Sequence, residues 1–310
     1  MRMNPAVYTD IHAHVLPGVD DGPADVAASL RLLEAFSGQQ VGRIFCTSHY
    51  LSPHFTVDKQ QLRDAYQALQ DVRAMAVGVG APGSDRAEAE PTSSSGSAAA
   101  SGPAAPGAAE TAAGESPTTR AQAASIELAL GAEVRLTGDI VEDIRGQQVP
   151  TLGGTRYVLV EFPSHNIPEE ALAWVYELRI RGYRPIMAHP ERNLEVQRHP
   201  ERVATLIEAG LLLQLTAACF VSPPQHRHRA DDLAWDILRA GQASLIASDA
   251  HDAHLRAPLL ADAYTAIRGE LGDDVCDALI ANANAVWMDE KCQTVPAVPA
   301  KRRFSLPWRR

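Results

Sequence analysis

Strands alternate with helices along most of this 310-residue chain, and the alternation predicts an α/β fold on a parallel sheet. Three observations carry that prediction. Seven short apolar runs, of the kind buried on both faces of a parallel sheet, are separated by stretches of helical periodicity. Six of the seven carry a His, Asp or Glu at or just past the carboxyl end. In parallel α/β barrels the active site gathers at that end, so the pattern predicts one barrel-like domain with a single polar centre at its mouth.

The first run, Ala6-Val7-Tyr8, leads into Asp10-Ile11-His12-Ala13-His14. Successive strand side chains point to opposite faces, so His12 and His14 share one. Two imidazoles aimed at one point are half of a metal site; two surface histidines at a strand end are the bland alternative. A turn-rich loop follows with two carboxylates, Asp20 and Asp21, which compete for one ligand role. Pro23 sits where a first helical turn tolerates it, and Val26, Leu30 and Leu33 predict a helix over about 23–37. Val41 to Thr47 is the next strand, with His49 just beyond. A helix over about 58–76 should bury Leu62, Tyr66, Leu69 and Val72, with Asp58 as its N-cap.

Residues 80–125 differ in kind. From Pro91 to Gly114 everything except Glu110 is Pro, Thr, Ser, Gly or Ala. Such a tract buries too little apolar surface to offset its ordering entropy, which predicts a disordered insertion inside one domain spanning 1–79 and 126–290.

Order returns with the strand Ser125 to Ala132, which ends in Glu133. Tyr157 to Val160 is closed by Glu161, and a helix from Pro168 to about Arg181 stops at Gly182. Arg184 to Ala188 precedes His189-Pro190-Glu191-Arg192-Asn193. A helix over 200–209 leads to the strand Leu211 to Thr216, and a helix over 230–240 leads to Ala243 to Ala247, followed by Ser248-Asp249-Ala250-His251. Helices over about 257–270 and 273–285 finish the fold, and 291–310 reads as a basic flexible tail.

Composition narrows the function. The formal charge of −10 argues against general nucleic-acid binding. The chain has no apolar run of about 18 residues, and Met1 to Pro5 lacks a signal-peptide hydrophobic region, so the expected address is the cytoplasm. The four cysteines are scattered, which suits reduced thiols, and none begins the C-x5-R loop of a cysteine-nucleophile phosphatase.

The candidate ligands are therefore His12, His14, Asp21, His49, Glu133, Glu161, His189, Asp249 and His251. Mixed imidazole and carboxylate without thiolate suits Mn, Fe or Zn in a multinuclear hydrolytic site. Arg192 and Arg256 follow candidate ligands closely, and their planar guanidinium forks suit phosphate oxygens. His226 to Arg229 is a short basic loop, read as solvated.

The stretches Asp10 to His14, Asp20-Asp21-Gly22, Thr47-Ser48-His49-Tyr50, Val160-Glu161-Phe162-Pro163, Ala188 to Asn193, Leu215-Thr216-Ala217 and Ser248 to His251 together resemble the polymerase-and-histidinol-phosphatase (PHP) superfamily. Within it they resemble the bacterial metal-dependent protein-tyrosine phosphatases of capsule and exopolysaccharide operons. The resemblance spans about residues 8 to 288 apart from the insertion. It implies a distorted seven-stranded (β/α)7 barrel, TIM-barrel-like, holding three ions, usually manganese. By that pattern His12, His14, Glu133 and Asp249 hold one ion. Glu133, Glu161 and His189 hold a second, with Glu133 bridging, and Asp21, His49 and His251 hold a third. Arg192 and Arg256 grip the phosphoryl group. The implied partner is the phosphorylated tyrosine-rich tail of a bacterial autokinase.

The insertion, and Ala218-Cys219-Phe220 with Pro223-Pro224 after the sixth strand, depart from the family pattern. The tail from Lys301 to Arg310 has five basic residues with Phe304 and Trp308 among them. It is read as solvated, with weak contact to anionic lipid as the functional alternative. Two rival readings remain: a phosphoesterase for a small metabolite such as histidinol phosphate, and a non-catalytic regulatory scaffold. Oligomeric state is left open.

Overall fold

The computed structural model describes residues 7–78 and 125–299. Apart from Ser125, the expected disordered insertion lies outside the described residues, as does the basic tail from 300 onward.

In chain order the first half contains β1 (Tyr8–Ala13), α1 (Val26–Gly38), β2 (Val41–Cys46), β3 (His49–Tyr50), α2 (Lys59–Gly78), β4 (Glu127–Leu130) and β5 (Glu133–Arg135). Then come α3 (Ile140–Gly146), β6 (Tyr157–Glu161), α4 (Ala171–Ile180), β7 (Arg184–Ala188), α5 (Leu194–Arg198) and α6 (Arg202–Glu208). The chain continues with β8 (Leu212–Thr216), α7 (Ala218–Val221), α8 (Arg229–Arg239), β9 (Leu245–Ala247), α9 (Leu260–Leu271) and α10 (Asp273–Trp287).

Local chemistry sets the helix starts. Asp25 caps α1 by accepting from the Ala28 amide at 2.7 Å, and Asp58 accepts from the Gln60 and Gln61 amides at 2.7 and 2.8 Å. Leu62 and Leu69 of α2 are buried as expected. Val72 is not: the buried residue there is Arg73, whose guanidinium holds the Ile126 carbonyl.

All strand pairs are parallel, in two sheets ordered β1-β2-β4 and β3-β5-β6-β7-β8-β9. This differs from the single closed seven-stranded barrel expected from the sequence. The reason is local. At the ends of the second and third predicted strands, at Thr47-Ser48 and at Gly131-Ala132, the chain steps across, and the short strands β3 and β5 that follow pair in the other sheet. Across these steps the Gly131 amide still bonds Cys46 O at 2.9 Å. A Cβ at Gly131 would lie 2.9 Å from Leu152, so glycine permits the close approach. On the other side a single bridge, Ala13 to Ala250, links the end of β1 to the chain just after β9.

The strands divide the interior in two. Odd and even positions face opposite sides, so Val158, Val160, Met187, Leu213, Leu215 and Ile246 pack with the helices in the larger core. Tyr157, Leu159, Ile186, Ala188, Leu245 and Ala247 form a second cluster with Ile11 and Phe45, closed by Ala283 and Val286 of α10. Glu161 and Gln214 lie on this inner face, one pleat beyond the apolar layer.

The tail begins later than expected. Residues 291–299 are held against the fold: the Val298 amide bonds Arg239 O at 2.8 Å, Asn282 pairs with both backbone groups of Gln293, and Val295 is buried. Gly241 makes room, because a Cβ there would stand 2.8 Å from Val295 O.

Candidate metal centre

A bulge aims the first two ligands. Between Asp10 and Ala13 the chain of β1 advances three residues while β2 advances two, from Ile44 to Cys46. The extra residue turns His12 and His14 onto the inner face that Ile11 occupied one step earlier. Asp10, wholly buried, locks the bulge by accepting from the His12 amide at 3.1 Å and the Ser248 amide at 3.2 Å. Burial pushes its carboxyl up to about 6, against those hydrogen bonds.

All nine predicted ligands meet at one end of the sheets, beyond the carboxyl ends of most strands, with His49 and Glu133 opening β3 and β5. Their donor atoms form four overlapping groups, each with all members within 4.8 Å: His14, Asp21, His49 and His251; His12, Glu133 and His189; His12, His14 and Asp249; His49, Glu133 and Glu161. Glu133 occupies the middle. Its carboxylate lies 3.5 Å from both His12 Nε2 and His14 Nε2, 3.0 Å from His49 Nδ1 and 2.8 Å from His189 Nε2. Asp249 Oδ1 stands 3.4 Å from His12 Nε2 and 3.6 Å from His14 Nε2. Asp21 Oδ1 lies 3.5 Å from His49 Nε2 and 3.2 Å from His251 Nε2. His189 and Asp249 both take positive φ, 33° and 53°, which turns their side chains inward from the strand ends.

Supporting groups fix which nitrogen of each ring faces the centre. Gln214 Nε2 donates to Leu215 O at 2.9 Å, so its Oε1 accepts from His12 Nδ1, also at 2.9 Å. His14 Nδ1 donates to Asp20 at 2.8 Å, and His251 Nδ1 donates to Asp249 O at 2.9 Å. Each leaves Nε2 with a lone pair toward the cluster, as metal-binding histidines require. The competition between the two aspartates is thereby settled: Asp20 braces His14 and accepts from the His49 amide, while Asp21 turns to the centre. Sequence reasoning missed Asp20, Gln214 and Asp10 as supports, because what lies across a strand is invisible in local spacing.

The electrostatics are those of a cation site. Burial opposes charge on His14 and His49, yet the adjacent carboxylates win, holding His14 up to about 9 and His49 up to about 11. Burial works to raise Glu133, and His12, His14 and His189 overcome it, keeping the carboxyl well below its usual range. His251 goes the other way, lowered by burial and by His14 stacked on it at 3.8 Å. His49 Nδ1 and His251 Nε2 are buried with no aligned hydrogen-bond partner. Convergent nitrogen lone pairs, low-lying carboxylates and these two orphaned nitrogens together fit divalent ions of the Mn, Fe or Zn type.

Two arginines guard the mouth. Arg192 Nη1 reaches Asp249 Oδ2 at 2.5 Å, and Arg256 bridges Asp249 Oδ2 at 3.2 Å and Asp21 Oδ2 at 2.9 Å. Both remain about two-fifths exposed. A third, Arg135, donates to Glu161 at 2.7 Å and had no signal in the sequence beyond lying two residues past Glu133. The cavity lined by Arg192 and Arg256 measures about 190 Å³.

Residues 8–78 and 109–288 match the family described as capsular polysaccharide synthesis, CpsB/CapC. The chain is 25% identical over 294 residues to the tyrosine-protein phosphatase YwqE of Bacillus subtilis (strain 168), covering 95% of this chain and 97% of that protein. It is 23% identical over 285 residues to the tyrosine-protein phosphatase CpsB of Streptococcus pneumoniae, covering 91% and 98%. Crystal structures of YwqE and of S. pneumoniae CpsB are described as unique metal-dependent tyrosine phosphatases. From that work, one chain superposes with a TM-score of 0.73 at 24% identity, covering 95% of this chain and all of the other, a likeness of fold.

Proposed function

The chain belongs to the capsular polysaccharide synthesis CpsB/CapC family, and from that premise we propose that it is a metal-dependent protein-tyrosine phosphatase, a phosphoric monoester hydrolase. The observation that carries the reading is the clustering of nine His, Asp and Glu side chains, five of which (His49, Glu133, Glu161, His189 and Asp249) line one small cavity together with Arg192 and Arg256. In this reading the two sheets are one distorted seven-stranded PHP barrel, supported by the neighbour order and the Ala13–Ala250 bridge.

His12, His14, Glu133 and Asp249 would hold one ion, Glu133, Glu161 and His189 a second, with Glu133 shared, and Asp21, His49 and His251 a third, with manganese as the proposed metal. Bound ions supply Lewis-acid charge and activate water at neutral pH. Arg192 and Arg256 present guanidinium forks to the phosphoryl oxygens, exchanging carboxylate partners for the substrate. Asp20 and Gln214 keep His14 and His12 in the tautomers that binding needs. A phenol leaves with a pKa near ~10, so little help from a general acid is needed. No thiolate competes as nucleophile: burial pushes Cys46 up to about 12 and Cys276 up to about 11, and it raises Cys219 and Cys292 as well.

The proposed substrate is the phosphorylated tail of a cytoplasmic tyrosine autokinase, through which the enzyme would regulate capsule or exopolysaccharide synthesis. The half-exposed rim arginines support a mouth open to a polypeptide, whereas a small-metabolite enzyme calls for closure. No helix among the described residues is long and apolar enough to cross a membrane. Phosphate release from a phosphotyrosine peptide and from histidinol phosphate, with and without manganese, tests the reading. Metal-dependent turnover favouring the peptide is expected; turnover of histidinol phosphate alone, or of neither, overturns it.

A further inference from the structure

Beside the metal cavity runs a second opening of different chemistry. It measures about 520 Å³ and lies between the loop after β3, the start of α2 and the loop after β5. Its wall includes Leu51, Pro53, Phe55, Val57 and Pro163, with Arg135 between them. The two spaces share their partition. His49 of the metal cluster stacks on Phe55 at 5.3 Å between centroids and 11° between planes, and Glu161 of the cluster holds Arg135. Phe162 and Ser164 line the cavity while Pro163, between them, lines the groove.

Resting on the phosphatase reading above, we propose that this groove is the leaving-group subsite and that Phe55 determines specificity for an aromatic phosphate ester. The phosphoryl cavity is lined mainly by His, Asp, Glu and Arg side chains. The groove beside it offers an attached phenyl ring more apolar surface, from Leu51, Pro53, Phe55, Val57 and Pro163. Phe55 is half-buried, with His49 on one face and the ring of His54 edge-on at 6.5 Å, and part of its surface lines the groove where a second ring could stack. Offset stacking of two aromatic rings adds to the area they bury, and an aliphatic ester of serine or threonine cannot reproduce it. Past the ring, a groove more than twice the volume of the cavity has room for residues flanking the phosphotyrosine.

The test separates this inference from the phosphatase reading by using ligands that are not turned over. Titration calorimetry with phenylphosphonate and with methylphosphonate, on the full chain loaded with manganese, gives the ratio of the two affinities. The ratio is expected to favour phenyl in the native chain, to fall about tenfold in Phe55→Ala, and to recover in Phe55→Trp. Because a ratio cancels any change in metal occupancy caused by unstacking His49, an unchanged ratio in Phe55→Ala overturns the subsite. So does a native ratio near one. Turnover of a phosphotyrosine peptide in the native chain reports on the phosphatase reading independently.

Discussion

The two ends of the same strands carry the same kinds of side chain and use them oppositely. At the amino ends, Arg156 donates to Asp289 from its backbone and from Nε, at 2.9 and 2.8 Å, and Arg184 donates to Glu290 O at 2.7 Å. Both arginines there meet a carboxylate or a carbonyl, and the result is a clasp between β6, β7 and the chain just past α10. At the carboxyl ends, four histidine rings crowd around Glu133, two ring nitrogens lack aligned partners, and two backbones sit at positive φ. Satisfied pairs hold a fold together; a surplus of unsatisfied donors on one point is what a ligand can exploit.

The contrast breaks first, and by the largest amount, under matched Asp→Asn substitutions. Asp249→Asn removes a charge from the cluster and is expected to lower metal-dependent turnover by more than about 100-fold, beyond the loss typical of a supporting residue, with the thermal midpoint of the chelated protein little lower. Asp289→Asn should leave turnover intact and lower stability by at most about 1 kcal/mol, since this pair is partly exposed. Phosphatase assay and thermal melts on both variants check it; wild-type turnover in Asp249→Asn would refute the metal assignment.

A smaller effect sharpens the role of the supports. Gln214→Leu leaves His12 Nδ1 without its acceptor, and the metal dissociation constant should rise about 10- to 100-fold. Manganese titration by calorimetry reads this directly, and an unchanged constant would mean that Gln214 merely fills space.

The smallest effect is graded with pH. In chelated protein, His14 and His49 are held above their ordinary value, to about 9 and about 11. Their pairing with Asp20, Glu133 and Asp21 therefore stabilises the fold fully below about pH 6.5; the His14 share is lost as pH rises through about 9 and the His49 share through about 11. Metal binding displaces these protons, so affinity should rise over the same window. The gain in thermal midpoint on adding manganese should widen from about pH 6.5 to about pH 9; a gain that shrinks would show that the protons sit elsewhere.

Much of this carboxyl end was legible in the chain because strands impose a period of two and place their last residue at the mouth. Glu161 follows from that rule alone, whereas His12 and His14 also need the bulge in β1 and Asp249 its positive φ. Asp20 and Asp21 could not be told apart, since the choice depends on where His14 lies after folding. Gln214 sits in an apolar strand and looks like an interruption until His12 is seen across from it. The steps at Thr47-Ser48 and Gly131-Ala132 escaped because β3 and β5 are only two and three residues long, and only pairing partners reveal the change of sheet. Residues 291–299 read as tail because the groups that hold them, Asn282 and the backbone at Arg239, lie far back along the chain.

The left-handed backbones of His189 and Asp249 have one more consequence. Those two residues have already given up their conformational freedom, held by the ladder on one side and by the Asp249 amide bonded to His12 O at 2.9 Å on the other. An arriving ion thus meets a rigid receptacle and need not order the chain around itself. Exchange of one divalent ion for another should then proceed at a rate set by proton release and desolvation, with no slow rearrangement of the polypeptide.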